Sequence, residues 1–183
     1  MGLCNIECVE RVARYLDVPE KLFLDKNIVK SVQNVSSFST TVQTLVRSSN
    51  YSSALLDNKK EIRALIQQWL EYIVICMNHA DVPANAKKVL NDFVIGQANL
   101  KIKKTNASEL NTVLKDLTYI CGTKKTIADI VLYYVLYSVM NELNLQQKAQ
   151  YVHVSRWFDN IQQEEKLRQE LDLICFNLLH IFL

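Results

Sequence analysis

The fold of this chain turns on Thr126-Ile-Ala-Asp129 and the apolar run that follows it, Ile130-Val-Leu-Tyr-Tyr-Val-Leu-Tyr137. Threonine and aspartate at this spacing match a capping box, in which each side chain accepts a hydrogen bond from the other's backbone N–H at a helix start. The spacing predicts a helix beginning at Thr126. The residues after it are apolar on nearly every face, the pattern of a helix packed all round by others. A buried central helix inside an all-helical domain is therefore expected, with a further helix carrying Val154-Ser-Arg-Trp-Phe158.

Composition agrees with that expectation. A chain of 183 residues can hold one good-sized domain, or a small domain beside a larger one. Hydrophobic residues make up 49% and charged residues 22%, which is the balance of a globular chain rather than a disordered one. With 3 glycines and 2 prolines there is too little turn punctuation for many hairpins, so helices should dominate. Lys+Arg 21 against Asp+Glu 19 leaves a formal +2, and the pairs Lys59-Lys60, Lys87-Lys88 and Lys124-Lys125 are scattered. Binding to a phosphate backbone needs a concentrated basic face, so no direct nucleic-acid contact is expected. Cys4, Cys8, Cys76, Cys121 and Cys175 are odd in number and lack Cys-x-x-Cys spacing, and no cationic region leads into an apolar run at the N-terminus. A reducing, intracellular setting is the expectation. The apolar run from Ile130 to Met140 falls short of the roughly 20 residues that cross a bilayer, so no membrane span is expected.

Taken in order, residues 3 to 16 carry Leu3, Ile6, Val9, Val12, Ala13 and Leu16 at helical spacing. Two short strands around Asp25-Lys26-Asn27 are expected between Lys21 and Gln33. Ser36 to Thr41 offers a cap for a helix with Val42, Leu45 and Val46 on one face, and Ser48 to Ser53 reads as a polar linker. The domain boundary is placed near Asp57, giving units of 1–56 and 57–183. Beyond it Ile62, Leu65, Ile66, Trp69, Leu70, Ile73, Cys76 and Met77 form a broad apolar helical stripe. His79 to Ala84 breaks that helix, Ala86 to Ile95 suggests the next, and Gln97 to Asn106 a basic loop. Ser108 is placed as the cap of a short helix carrying Leu110, Val113, Leu114 and Leu117. After the central helix, Asn144 to Gln150 is expected to be a polar connection and Ser155 the start of the next helix. Glu164 to Phe182 closes the chain with Leu167, Leu171, Ile174, Cys175 and Leu178 as its buried face.

The order of a small N-terminal α/β unit, a linker and a helical bundle, with Gly122-Thr-Lys-Lys-Thr-Ile-Ala-Asp129 leading into its central helix, resembles the glutathione-transferase architecture. Further segments carry the resemblance beyond fold. These are Gln67-Gln-Trp-Leu-Glu-Tyr72, Leu110-Asn-Thr-x-Leu-x-Asp116, Tyr119-Ile-x-Gly122, Thr126-Ile-Ala-Asp-Ile130 with Tyr133-Tyr134, and Val154-Ser-Arg-Trp-Phe158. Together, from about Asp57 to about Leu171, they resemble the transferase-like auxiliary subunits of the multi-aminoacyl-tRNA-synthetase complex. The resemblance implies a mainly α, glutathione-transferase-like fold, with a small degenerate thioredoxin-like N-terminal domain and an all-helical C-terminal bundle. It also implies a non-catalytic scaffold in the cytoplasm, with the nucleus as a second compartment, and an equivalent homodimer in isolation as a physically allowed state. Ile75 to Ala107 departs from the pattern by being longer than the family's connection.

Glutathione chemistry requires a hydroxyl or thiol after the first strand, a cis-proline and a helix N-terminus for the glutamyl carboxylate. No proline lies between Pro19 and Pro83, Lys30 stands near the place of the cis-proline, and the chain opens on a helix. A divergent glutathione transferase is thus the alternative reading, with Cys4 and Cys8 as its thiol candidates and Ser36 or Ser37 as weak anion contacts. A translation-elongation-factor accessory domain with other partners is the third. His79, His153 and His180 are far apart and have no ligand spacing, so neither metal nor cofactor is expected. Arg156 is placed in the first turn of its helix, where its charge opposes the macrodipole, so a salt bridge to Asp159 or Glu164 is one reading. The resemblance implies the other, contact with the transferase-like domain of glutamyl-prolyl-tRNA synthetase. Thr41, Leu45, Gln68 and Tyr72 mark a second face, for which the resemblance implies methionyl-tRNA synthetase, although the same apolar residues could pack within the chain. Trp157 and Phe158 are expected in the core.

Overall fold

The computed structural model describes residues 6–19, 35–77 and 110–176. The strands expected between Lys21 and Gln33, the helix expected between Ala86 and Ile95, Cys4, Ser108 and Leu178 all lie outside them.

Among the described residues the architecture is helical, in the order α1 Ile6–Tyr15, α2 Val35–Ser48, α3 Ser52–Leu56, α4 Lys60–Met77, α5 Leu110–Asp116, α6 Ile127–Glu142, α7 Leu145–Gln150, α8 Val152–Gln162 and α9 Glu165–Arg168. α6 is the centre. Twelve of its residues are buried, and α1, α2, α4 and α8 all pack against it. Each fully buried aliphatic or aromatic side chain is worth about 1.5–3 kcal/mol, so this one helix anchors much of the hydrophobic term.

The elements around it follow from residue spacing. α1 buries Val9, Val12, Ala13 and Leu16 and faces α6. It ends where Asp17 adopts φ 54 and Val18 N–H reaches back to the Ala13 carbonyl at 3.0 Å, a Schellman-type stop without glycine. α4 buries Ile66, Trp69, Leu70, Ile73 and Val74 between α2 and α6. Trp157 and Phe158 are buried as expected, with Phe158 4.8 Å from the Tyr133 ring.

Several expected boundaries are corrected. α2 starts at Val35, so Ser36 to Thr41 lies inside the helix instead of capping it. Hydroxyls there can turn onto carbonyls one turn back, as Thr44 Oγ1 does to Thr40 O at 2.8 Å, and apolar packing through Phe38 and Val42 overrides their weak propensity. The linker expected at Ser48 to Ser53 shortens to a turn over residues 49–51, because Ser48 ends α2 and Ser52 begins α3, whose Leu55 and Leu56 are buried. The polar connection at Asn144 to Gln150 is α7, started by a capping box between Asn144 and Gln147. α8 begins at Val152, not Ser155; the Ser155 hydroxyl is buried and donates to Lys148 O at 2.8 Å. Among the described residues of the closing stretch Glu165–Arg168 is helical, and Leu171 to Phe176 has no regular secondary structure. That segment is held through its backbone: Gln162 Nε2 donates to Ile174 O at 2.8 Å, and Ile174 N–H donates to Gln162 Oε1 at 2.9 Å. Ile174 is buried accordingly, but Cys175 is exposed.

Gly122 holds the turn into α6. Its φ is 131, a region that side chains disfavour, and Tyr119 and Gly122 exchange backbone hydrogen bonds of 2.9 and 3.0 Å. An added Cβ would meet nothing within 4 Å. Gly122→Ala is therefore expected to cost about 1–3 kcal/mol from backbone strain alone, read as a lower midpoint in urea at unchanged slope.

Candidate partner-binding site

The capping box at Thr126 closes as the sequence predicts, and Asp129 does more than cap. Its Oδ2 accepts from Thr126 N–H and from the Thr126 hydroxyl, both at 2.9 Å. Its Oδ1 accepts from Ile120 N–H and from the Trp157 indole, both at 3.0 Å. Asp129 is fully buried; burial pushes its pKa up and the four donors work against that push. One carboxylate thus joins the start of α6, the Tyr119–Gly122 turn and α8.

Arg156 is exposed and sits at the fifth position of α8, past the first turn where the sequence placed it. Neither expected ion pair forms. Asp159 Oδ1 accepts from Gln162 and Gln163, and Glu164 is engaged by Tyr15 and Lys125. Arg156 Nη2 instead donates to the carbonyls of Leu114 and Leu117, the second at 3.2 Å, at the C-terminal end of α5. A cation there satisfies carbonyls that the helix leaves unpaired and complements its dipole. Asn111 Oδ1 adds hydrogen bonds from His153 N–H and Val154 N–H at 3.1 and 3.2 Å, so α5 and α8 form one stitched pair.

Beside Arg156 lies an open cleft of ≈ 350 Å³ bordered by Lys115, Asp116, Leu117, Thr118, Trp157 and Asn160. Burial, and then the charges of Arg156 and Lys115, hold the His153 imidazole below its ordinary value against the smaller opposing effect of Asp116. A depressed histidine means that folding opposes its protonation, so this group's share of stability is lost as pH falls from 6.5 through the lower folded value. Titrating His153 by NMR should give a midpoint below 6.5, and Arg156→Gln should move it upward.

On the second face the four candidates divide. Leu45 is 3% exposed and Thr41 8%, so both side chains are used within the chain. Gln68 is exposed and Tyr72 is half-buried, its ring edge-on to Trp69 at 5.8 Å. Ile75, 42% exposed, joins them on α4; sequence reasoning missed it, and its signal is that it falls off the apolar stripe. Gln43 donates to Gln67, which ties α2 to α4, and Gln67 donates in turn to Glu71.

The region that would hold glutathione lies largely outside the described residues, as do the side chains of Ser36 and Ser37. Cys8 is described: it is buried, and burial pushes its thiol up to about 12, far from a reactive thiolate. Among the described residues no group of three metal-ligating side chains assembles, and no helix is long and apolar enough to cross a membrane.

A solved glutathione transferase of Bombyx mori superposes with a TM-score of 0.54 over 93% of this chain and 88% of that one, at 15% identity. The fold is therefore glutathione-transferase-like. A family model described as "Nuclear-export cofactor Arc1p" matches residues 62–165. The human protein named eukaryotic translation elongation factor 1 epsilon-1 is 34% identical over 143 residues, which cover 78% of this chain and 72% of that protein. Its mouse counterpart is 34% identical over 122 residues, or 67% of this chain and 60% of that protein. The chain belongs to this elongation factor 1 epsilon-1 and Arc1p-like family.

Proposed function

We propose that this protein is a non-catalytic scaffold that joins aminoacyl-tRNA synthetases by pairing transferase-like domains, acting in the cytoplasm and also in the nucleus. One face is the Arg156 rim between α5 and α8, offered to the transferase-like domain of glutamyl-prolyl-tRNA synthetase. The other is the α2–α4 face with Gln68 and Tyr72, offered to methionyl-tRNA synthetase, while Thr41 and Leu45 shape it from beneath. The observation that carries the reading is Arg156: an exposed guanidinium held in place by carbonyls of its own chain, on a rigid helix pair, in a member of this family. Arginine suits such a site because its planar fork has several donors, and holding the side chain beforehand lowers the entropy cost of binding.

The alternative is a divergent glutathione transferase. Isothermal titration with glutathione beside a conjugation assay separates the two. The scaffold reading expects neither heat nor turnover, and glutathione binding accompanied by turnover would replace it with the enzyme.

A further inference from the structure

Between α2, α3 and α4 lies a cavity of ≈ 130 Å³ lined by Gln43, Arg47, Ser52, Leu56, Arg63 and Ile66. Two exposed arginines line it, and no carboxylate does. Arg47 Nη2 donates to Gln43 Oε1 at 3.3 Å and Arg63 Nε donates to the Asp57 carbonyl at 2.9 Å, which positions both side chains without neutralising either. Among the described residues neither arginine forms an ion pair. Asp57, whose carbonyl Arg63 engages, has its Oδ1 accepting from the backbone N–H groups of Asn58 and Lys59 at 2.6 and 3.0 Å. Leu56 and Ile66, 7% and 1% exposed, give the cavity an apolar wall.

Two like charges brought into one concavity repel each other, and a bound anion removes that cost. An arginine fork matches a carboxylate with two parallel hydrogen bonds. The apolar wall suits the methylenes of a side chain better than it suits a free inorganic ion. We propose that this cavity is a socket for an acidic side chain of the protein partner that docks on the α2–α4 face, with Arg47 and Arg63 holding its carboxylate and Leu56 and Ile66 contacting its stem. The inference rests on the reading of that face as a partner surface and adds the chemistry the partner must bring: a glutamate or aspartate projecting from its own contact helix. A nucleic acid is a poorer fit, because a phosphate backbone asks for a row of cations and this is a single paired site.

Two measurements on the full chain test it. In the first, N-acetylglutamate, N-acetylglutamine and inorganic phosphate are titrated while the Nε–H signals of Arg47 and Arg63 are followed by NMR. The glutamate derivative should shift both signals saturably and the glutamine derivative neither. Loss of the response in Arg63→Gln, which keeps an N–H for the Asp57 carbonyl, should accompany this. Tighter binding of phosphate than of the carboxylate would overturn the assignment in favour of a phosphate site, and no response to any probe would overturn it outright. In the second, the Arg47→Glu, Arg63→Glu double variant is titrated with the methionyl-tRNA synthetase transferase-like domain. Affinity should fall about tenfold or more and the salt dependence should weaken, as expected when a close charge pair is lost. Unchanged affinity would refute the socket while leaving the scaffold reading intact. Failure of that domain to bind the unaltered chain would refute the partner assignment instead, and the first measurement alone would then decide the socket.

Discussion

Asp129→Ala should destabilise the protein by about 3–5 kcal/mol, several times the cost of losing an ordinary exposed cap. The side chain removed is fully buried and accepts from Thr126 N–H, the Thr126 hydroxyl, Ile120 N–H and the Trp157 indole. Alanine leaves all four donors without their acceptor, each in a site too tight for bulk water, and unsatisfied buried groups cost about 1–3 kcal/mol apiece before relaxation. A domain of this length loses roughly 2–4 °C of melting temperature per kcal/mol, so the melt should fall by roughly 10 °C. Asp129→Asn should lie between the two, since one amide oxygen can still accept while the NH2 group faces donors. A melt of Asp129→Ala within a degree or so of the unaltered protein would mean that this node does not hold the bundle together.

The second large effect is on binding. Arg156→Glu should weaken the proposed glutamyl-prolyl-tRNA synthetase contact about tenfold or more, because it removes a positioned donor fork and inserts the opposite charge at the rim proposed to meet that partner. The structure adds a local cost: the new carboxylate would face the Leu114 and Leu117 carbonyls that Arg156 now satisfies. Repulsion between them should destabilise the end of α5 by about 1–2 kcal/mol. Arg156→Lys separates the roles, since it keeps the charge and loses the planar fork. If the glutamate variant lost stability but kept its affinity, Arg156 would be a cap for α5 and nothing more.

The residues that were legible in the sequence are those whose role is fixed by local spacing. Thr126 and Asp129 announce a helix start at three residues' separation, and α4 announces itself through period alone. What the sequence hid was long-range. Nothing near Asp129 indicates that Ile120 and Trp157 will also donate to it, because those partners arrive through the tertiary fold. Ser155 looks like a cap in the sequence, which places Arg156 in a first turn. Its hydroxyl is instead buried against Lys148 O, and the true start at Val152 moves Arg156 inward and toward α5. The apolar residues of the irregular segment from Leu171 also fit helical spacing, while the Gln162 clamp that holds it lies twelve residues away from Ile174. On the second face the resemblance implies Leu45 as a contact, yet an apolar core position and an apolar interface position look alike in sequence until burial is known.

The central claim is that one chain bridges two synthetases through separate faces. Sedimentation velocity of the full chain mixed with both transferase-like domains tests it most directly. The account predicts a single faster-moving species containing one copy of each, which loses the glutamyl-prolyl-tRNA synthetase domain in Arg156→Glu and retains the methionyl-tRNA synthetase domain. Two binary species that never combine, or no complex with either domain, would contradict it.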